Sequence, residues 1–279
     1  MTIFRPIAVF LTAGALLAGC ASEEPSAAEA NAAIASYESM MHVADASKLA
    51  GDFTAAANLY ARASHISPDR PEPYRGLGEA FLGLGKPEEA IKAYQAGIAV
   101  AANDPELRLG LGKAYFAIGR ADLAISALKE AQTLEPANPR ILAMLGLASD
   151  AVGDHTAAQS YYRNALSIDP ADGGIANNLA LSLALTGDYA QATAILKPIA
   201  DDQKSTSRQR QTLSLIYGLA GNRDAAHAYA RRDLGDAAIE NNLAYFASLR
   251  AMSPDERTKA LANMFGTIGG QAVPATGSN

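Results

Sequence analysis

Four histidines, one cysteine and two glycine-rich turns are the residues of this chain whose types could carry chemistry. His42, His65, His155 and His227 stand at unrelated spacings, and none forms an HExxH motif or another metal-ligand pattern. Gly76-Leu77-Gly78 and Gly83-Leu84-Gly85-Lys86 resemble phosphate-binding loops in composition. Neither follows a strand-like run, and Pro87 occupies the place where such a loop needs Ser or Thr. Ser64 and Ser67 flank His65, but no third residue is placed to orient the imidazole. A single cysteine, Cys20, excludes an intramolecular disulfide and a cysteine-based zinc site. The expectation is a chain without catalytic residues, metal or cofactor, and without a small-molecule substrate. Its activity is binding.

Composition narrows what is bound. The 279 residues carry 23 Lys+Arg against 29 Asp+Glu, a formal charge of −6, which removes the basic footprint that nucleic-acid binding requires. Apolar residues make up 49%, yet aromatics only 6%, and 61 residues are alanine. Small side chains in that abundance suit closely packed helices rather than a β-sandwich, which favours β-branched and aromatic residues.

The N-terminus reads as an address. Arg5 precedes the apolar run Ile7–Leu17, which is too short to span a bilayer but suits a signal-peptide core. The run ends in Leu17-Ala18-Gly19-Cys20. This resembles the lipobox of bacterial lipoproteins, and the resemblance implies that residues 1–19 are removed and Cys20 is lipidated. Ala21 follows instead of Asp, which by the same resemblance implies the outer membrane, with the body facing the periplasm. Residues 20–36 are polar and alanine-rich and are expected to be a flexible tether. Contact with the membrane is expected through the lipid only.

The body is built on a period of 34. Six copies fall in register without a gap: 37–70, 71–104, 105–138, 139–172, 173–206 and 207–240. Position 15 is Gly51, Gly85, Gly119, Gly153, Gly187 and Gly221, and position 20 is alanine in all six. The glycine suits the left-handed residue that closes a helix, and the polar residue after it opens a second one. Small residues at positions 8 and 20 let two helix backbones approach, with larger residues such as Tyr60, Tyr94 and Tyr162 at position 24 beside them. Pro68, Pro136 and Pro170 at position 32 end the second helix.

This pattern resembles the tetratricopeptide-repeat family, which implies an all-α, right-handed superhelix of six helix-turn-helix repeats. The sixth copy departs from the pattern at positions 24 and 27, where Ala230 and Asp233 stand. Such decay is expected at a solvent-facing end. Residues 241–265 are expected to cap the array, with Ser253-Pro254-Asp255-Glu256 opening a helix through a capping box, and residues 266–279 to form a disordered tail.

On each first helix, positions 2, 5, 9 and 12 form a stripe turned away from the packing face. By resemblance to the family this stripe lines a concave partner-binding groove, for which the candidates are Arg75, Glu79, Lys113, Phe116, Leu147, Asp150, Asn177, Leu181, Gln211 and Leu215, with Asn178 flanking it at position 6. The alternative is that these residues pack within the superhelix or beneath its C-terminal helix. The Lys/Asn/Arg set by which chaperone-type repeats hold a terminal carboxylate is not reproduced. Residues 231–252, with Asn241-Asn242-Leu243-Ala244-Tyr245 and Arg250, resemble the C-terminal segment of the TadD lipoproteins of tight-adherence (Flp) pilus loci. That resemblance implies a pilotin-like scaffold assisting assembly or localisation of a pilus secretin. Repeat lipoproteins serving type IV pilus biogenesis, cell-wall hydrolases or outer-membrane protein assembly remain open alternatives.

Overall fold

The computed structural model describes residues 27–253 together with 256, 257 and 260. Among the described residues there are thirteen α-helices and no strands. They are α1 (Ala27–Leu49), α2 (Phe53–Ile66), α3 (Glu72–Gly83), α4 (Pro87–Val100), α5 (Pro105–Ala117), α6 (Ala121–Leu134) and α7 (Pro139–Ala151). The chain continues through α8 (His155–Ile168), α9 (Gly173–Leu185), α10 (Tyr189–Asp201), α11 (Ser207–Leu219), α12 (Arg223–Ala230) and α13 (Asp236–Ala251). No described helix is long and apolar enough to cross a membrane. Residues 27–36, expected as tether, are helical: an alanine-rich stretch has the highest intrinsic helix propensity, and it extends α1 toward the N-terminus. Cys20, the lipobox and the tail lie outside the described residues.

The position-15 glycines set the repeat. All six have positive φ, from +67° at Gly85 to +85° at Gly221, and no other described residue does. At the first of them, Gly51 N–H donates to the Lys48 carbonyl at 3.0 Å and Asp52 N–H to the Ser47 carbonyl at 2.9 Å. These two bonds are a Schellman closure, which satisfies carbonyls that the end of α1 would leave unpaired. The next residue then opens the second helix. Asp52, Asp154, Asp188 and Asn222 each accept a backbone N–H three residues on, whereas Lys86 and Arg120 have no acceptor and leave their helices without a side-chain cap.

Each first helix packs on its own second helix and on the second helix of the preceding repeat. First helices also touch one another along the whole series from α1 to α11, and α11 touches α13. The second helices make no such contacts with each other. An array in which one row is close and the other splayed curves around the close row, so the odd-numbered helices form its inner face. Tyrosines wedge the two rows together: Tyr60, Tyr94 and Tyr162 are at most 1% exposed. A Cβ at Gly78 would lie 2.5 Å from the Tyr94 ring, and the same ring fills the place of a Cβ at Gly110. Gly110→Ala is therefore expected to cost about 1–3 kcal/mol through overpacking. A urea-unfolding midpoint equal to that of the wild type would contradict this.

The array ends differently from its middle. α12 stops at Ala230, and α13 begins at Asp236, inside the span assigned to the sixth repeat. α13 buries Ile239, Leu243, Phe246 and Leu249 against Leu215, Leu219 and Leu181. Beyond it, Ser253 and Glu256 make the expected reciprocal cap: Ser253 N–H donates to Glu256 Oε2 at 3.0 Å and Glu256 N–H to Ser253 Oγ at 3.4 Å.

Candidate functional site

The inner row carries the sequence candidates, and the structure sorts them into four groups, with Asp150 apart from all of them. On α3 and α5 they are charged. Glu79 accepts from Lys48 Nζ at 2.6 Å, and Arg75 Nη1 lies 3.8 Å from Asp104 Oδ2. Between α5 and α7, Arg140 reaches Glu106 at 3.0 Å. Lys113 sits among these charges, and burial first, then the Arg140 charge, hold its ammonium below the usual lysine range. Next come Phe116 and Leu147, both half-buried. Phe116 leans on the core formed by Leu109, Ile141 and Leu145.

Asp150 turns inward instead of lining a groove. His155 Nδ1 lies 2.8 Å from its Oδ1, and Ser182 Oγ donates to the same oxygen at 2.7 Å. The Tyr162 hydroxyl is pushed well above its ordinary pKa, by burial first and then by the Asp150 carboxylate. A carboxylate on α7 thus joins α8 to the following α9. The set contains Ser, His and Asp, but both donors converge on the acid and Ser182 is 0% exposed. A nucleophile needs its hydrogen bond to the imidazole and an open face, and this geometry has neither.

The third group surrounds a cavity of about 420 Å³ between the first turns of α9 and α11. Asn177 and Asn178 line it, with Asp172, Gly174, Thr206 and Arg208. Asp172 caps α9 by accepting Gly174 and Ile175 N–H groups, and Thr206 caps α11 in a capping box with Gln209. Asn177 is 1% exposed, and neither its Oδ1 nor its Nδ2 has a hydrogen-bond partner. Asn178 and Gln211 are half-buried.

The fourth group is covered. Leu181 and Leu215 keep the stripe's phase but are 8% and 5% exposed, packed in one apolar cluster with α13. The groove reading fails for these two, because α13 supplies the apolar face that a partner would have supplied. What repeat phase could not show is how α13 is tied down. Arg210 on α11 grips Asp233 in the turn before α13, Nε donating to Oδ2 at 2.8 Å and Nη2 to Oδ1, and Ser207 Oγ adds a third bond at 2.6 Å. The departure at position 27 is thus an ion-pair partner. The Arg210 guanidinium, with Ser207, holds the Asp233 carboxyl below the usual carboxylate range. A depressed carboxyl lends stability that is complete above its unfolded value near about 4 and is lost as pH falls through its folded value. The wild type is therefore expected to lose urea resistance between pH 6 and about pH 3 more steeply than Asp233→Asn. Parallel curves would show the tie to be idle.

The tetratricopeptide-repeat pattern matches residues 49–108, 82–148 and 151–216, together more than half of the chain. The chain belongs to the tetratricopeptide-repeat family. Its fold is the superhelix of that family, whose members serve as protein-interaction scaffolds. Among curated proteins, none matches this sequence. Solved structures with the same repeat fold include PilF of Pseudomonas aeruginosa, at 20% identity and TM-score 0.61, covering 71% of this chain and 90% of that one. PilW, described as a widely conserved type IV pilus biogenesis factor, aligns at 16% identity and TM-score 0.64, covering 69% and 90%. Cut9 with Hcn1, from the APC/C, aligns at 18% identity and TM-score 0.62, covering 75% and 42%. At these identities the likeness is one of fold.

Proposed function

We propose that this tetratricopeptide-repeat protein is an outer-membrane lipoprotein, anchored through Cys20, that scaffolds assembly of a Flp/Tad pilus in the manner of a pilotin. The observation that carries the reading is the uncovered middle of the inner row. Phe116 and Leu147 stand half-exposed between the charged stretch of α3 and α5 and the polar cavity at α9 and α11. Such a surface offers apolar anchors with polar groups on either side, the arrangement that holds a helix or extended segment of another protein. The lipobox ending at Cys20 and the TadD-like segment 231–252 support the membrane and the pilus system respectively. In this mechanism the inner row holds a segment of a secretin subunit, and the lipid carries that subunit to the outer membrane or keeps its ring assembled there.

The likeness to PilW favours a second reading, an adaptor for type IV pilus biogenesis. Both place the bound segment on the inner row. Leu147→Glu is expected to lower capture of the secretin subunit at least about tenfold, with helical circular dichroism unchanged. Capture at the wild-type level by this variant would move the binding surface away from the inner row.

A further inference from the structure

We infer that α13 is a releasable, autoinhibitory cover. It occupies the α9–α11 end of the inner row, holds that end closed against partners, and yields it to an amphipathic helix presenting α13's own apolar stripe. The inference rests on the reading of this chain as a protein-binding scaffold and names how its inner row is regulated.

The seat of α13 sets it apart from the array. From α3 to α11, every first helix packs mainly on the second helix before it and less on the preceding first helix. α13 reverses this and lies more on α11 than on α12. It is shifted from the place of a seventh repeat toward the inner row, where it covers Leu181 and Leu215, and Leu219 with them. Its buried residues are Ile239, Leu243, Phe246 and Leu249, which share one stripe at i, i+4, i+7 and i+10. That is the pattern of a helix laid into a groove, and a free helix with the same stripe competes for the same surface.

The ties that keep α13 closed are polar and lie at its edges. Asp233, in the turn before α13, is gripped by Arg210 and Ser207. Glu240 on α13 accepts from Arg223 Nη2 at 2.5 Å, with both side chains more than half exposed, so this pair is open to water and salt. The entry to the helix is loose. Its N-cap is Gly235, which offers no side-chain acceptor and has nothing beyond its chain neighbours within 4 Å of where a Cβ would stand. The α12 beneath it is only 8 residues long. A terminal element of a modular array can open without its neighbours, so these ties can part while α5–α8 stay folded. In the closed state the apolar part of the inner row stops at Leu147. The apparent affinity of a partner for the longer row is lowered by the fraction of chains that are open.

The test uses the full chain and, as probe, a fluorescein-labelled peptide of residues 236–251. In the wild type the tethered α13 outcompetes the free peptide, because its short connection gives it an effective concentration of about millimolar order. Asp233→Lys combined with Glu240→Lys breaks both ties and leaves the apolar stripe whole. This double variant is expected to exchange its amides over 236–251 at least about tenfold faster than the wild type, with α5–α8 unchanged. It should bind the peptide at least about tenfold more tightly. Phe246→Ala should bind the peptide as well, and the same peptide carrying Leu243→Glu and Phe246→Glu should bind neither chain. Wild-type amides of α13 exchanging no faster than those of α9 and α11 would overturn the inference, since α13 would then open only with the array. So would unchanged exchange in the double variant, which would mean that the ties hold nothing closed. No peptide bound up to about 1 mM by a variant whose α13 exchanges fast would overturn it too. Failure of the pilus reading is separable: it would appear as no pilus subunit captured by either chain, with peptide binding to the double variant intact.

Discussion

Phe246→Ala is expected to destabilise the C-terminal end of the array by about 4 kcal/mol, within the range for losing a buried aromatic side chain. Phe246 is 7% exposed, and its ring fills the space that a side chain at Gly218 would occupy. It joins Ile239, Leu243 and Leu249 in covering Leu181 and Leu215. Because each repeat contacts only its neighbours, the loss should stay local. Hydrogen exchange should therefore rise steeply over residues 236–251 and over the amides of α11, while α5–α8 keep their protection. Loss of protection spread evenly along the chain would contradict a docked terminal helix on a modular array. Undocking would also expose Leu181 and Leu215, extending the apolar part of the inner row by two repeats.

Asp150→Ala should cost about 3 kcal/mol, and its effect should centre on the middle repeats. The substitution removes the acceptor shared by His155 and Ser182, at 2.8 and 2.7 Å, and leaves the Ser182 hydroxyl buried with no replacement from water. Asp150→Asn keeps one oxygen acceptor but loses the charge, so urea midpoints should fall in the order wild type, Asn, Ala. An alanine variant with an unchanged midpoint but lost partner capture would return Asp150 to the binding surface.

The helix-turn-helix grammar was legible because it rests on local backbone demands. A left-handed residue at the end of each first helix wants glycine, and all six position-15 glycines have that conformation. The packing of small residues against the position-24 tyrosines was legible for the same reason, since it lies within one or two repeats. The candidate site was less so. Leu181 and Leu215 carry the groove phase, and what separates them from Leu147 is a cover formed by residues 236–251, which the period does not encode. Asp150 shares that phase too, but its fate depends on His155 and Ser182, five and thirty-two residues away. Asp233 looked like decay at position 27 because its partner, Arg210, lies one helix earlier. The capping residues Asp172 and Thr206 were within reach of sequence reasoning, since Asp and Thr before a helix are common cap signals, but nothing in the sequence says that a cavity opens between them.

The central claim, a lipid-anchored scaffold that holds a pilus secretin subunit, is tested most directly by crosslinking the protein in envelope membranes and identifying its partners by mass spectrometry. The expected result is a secretin subunit among the main products, lost in a Cys20→Ser strain in which the chain no longer reaches the outer membrane. Cell-wall hydrolases or outer-membrane insertion factors in its place would contradict the pilus assignment, and products unchanged by Cys20→Ser would contradict the anchor.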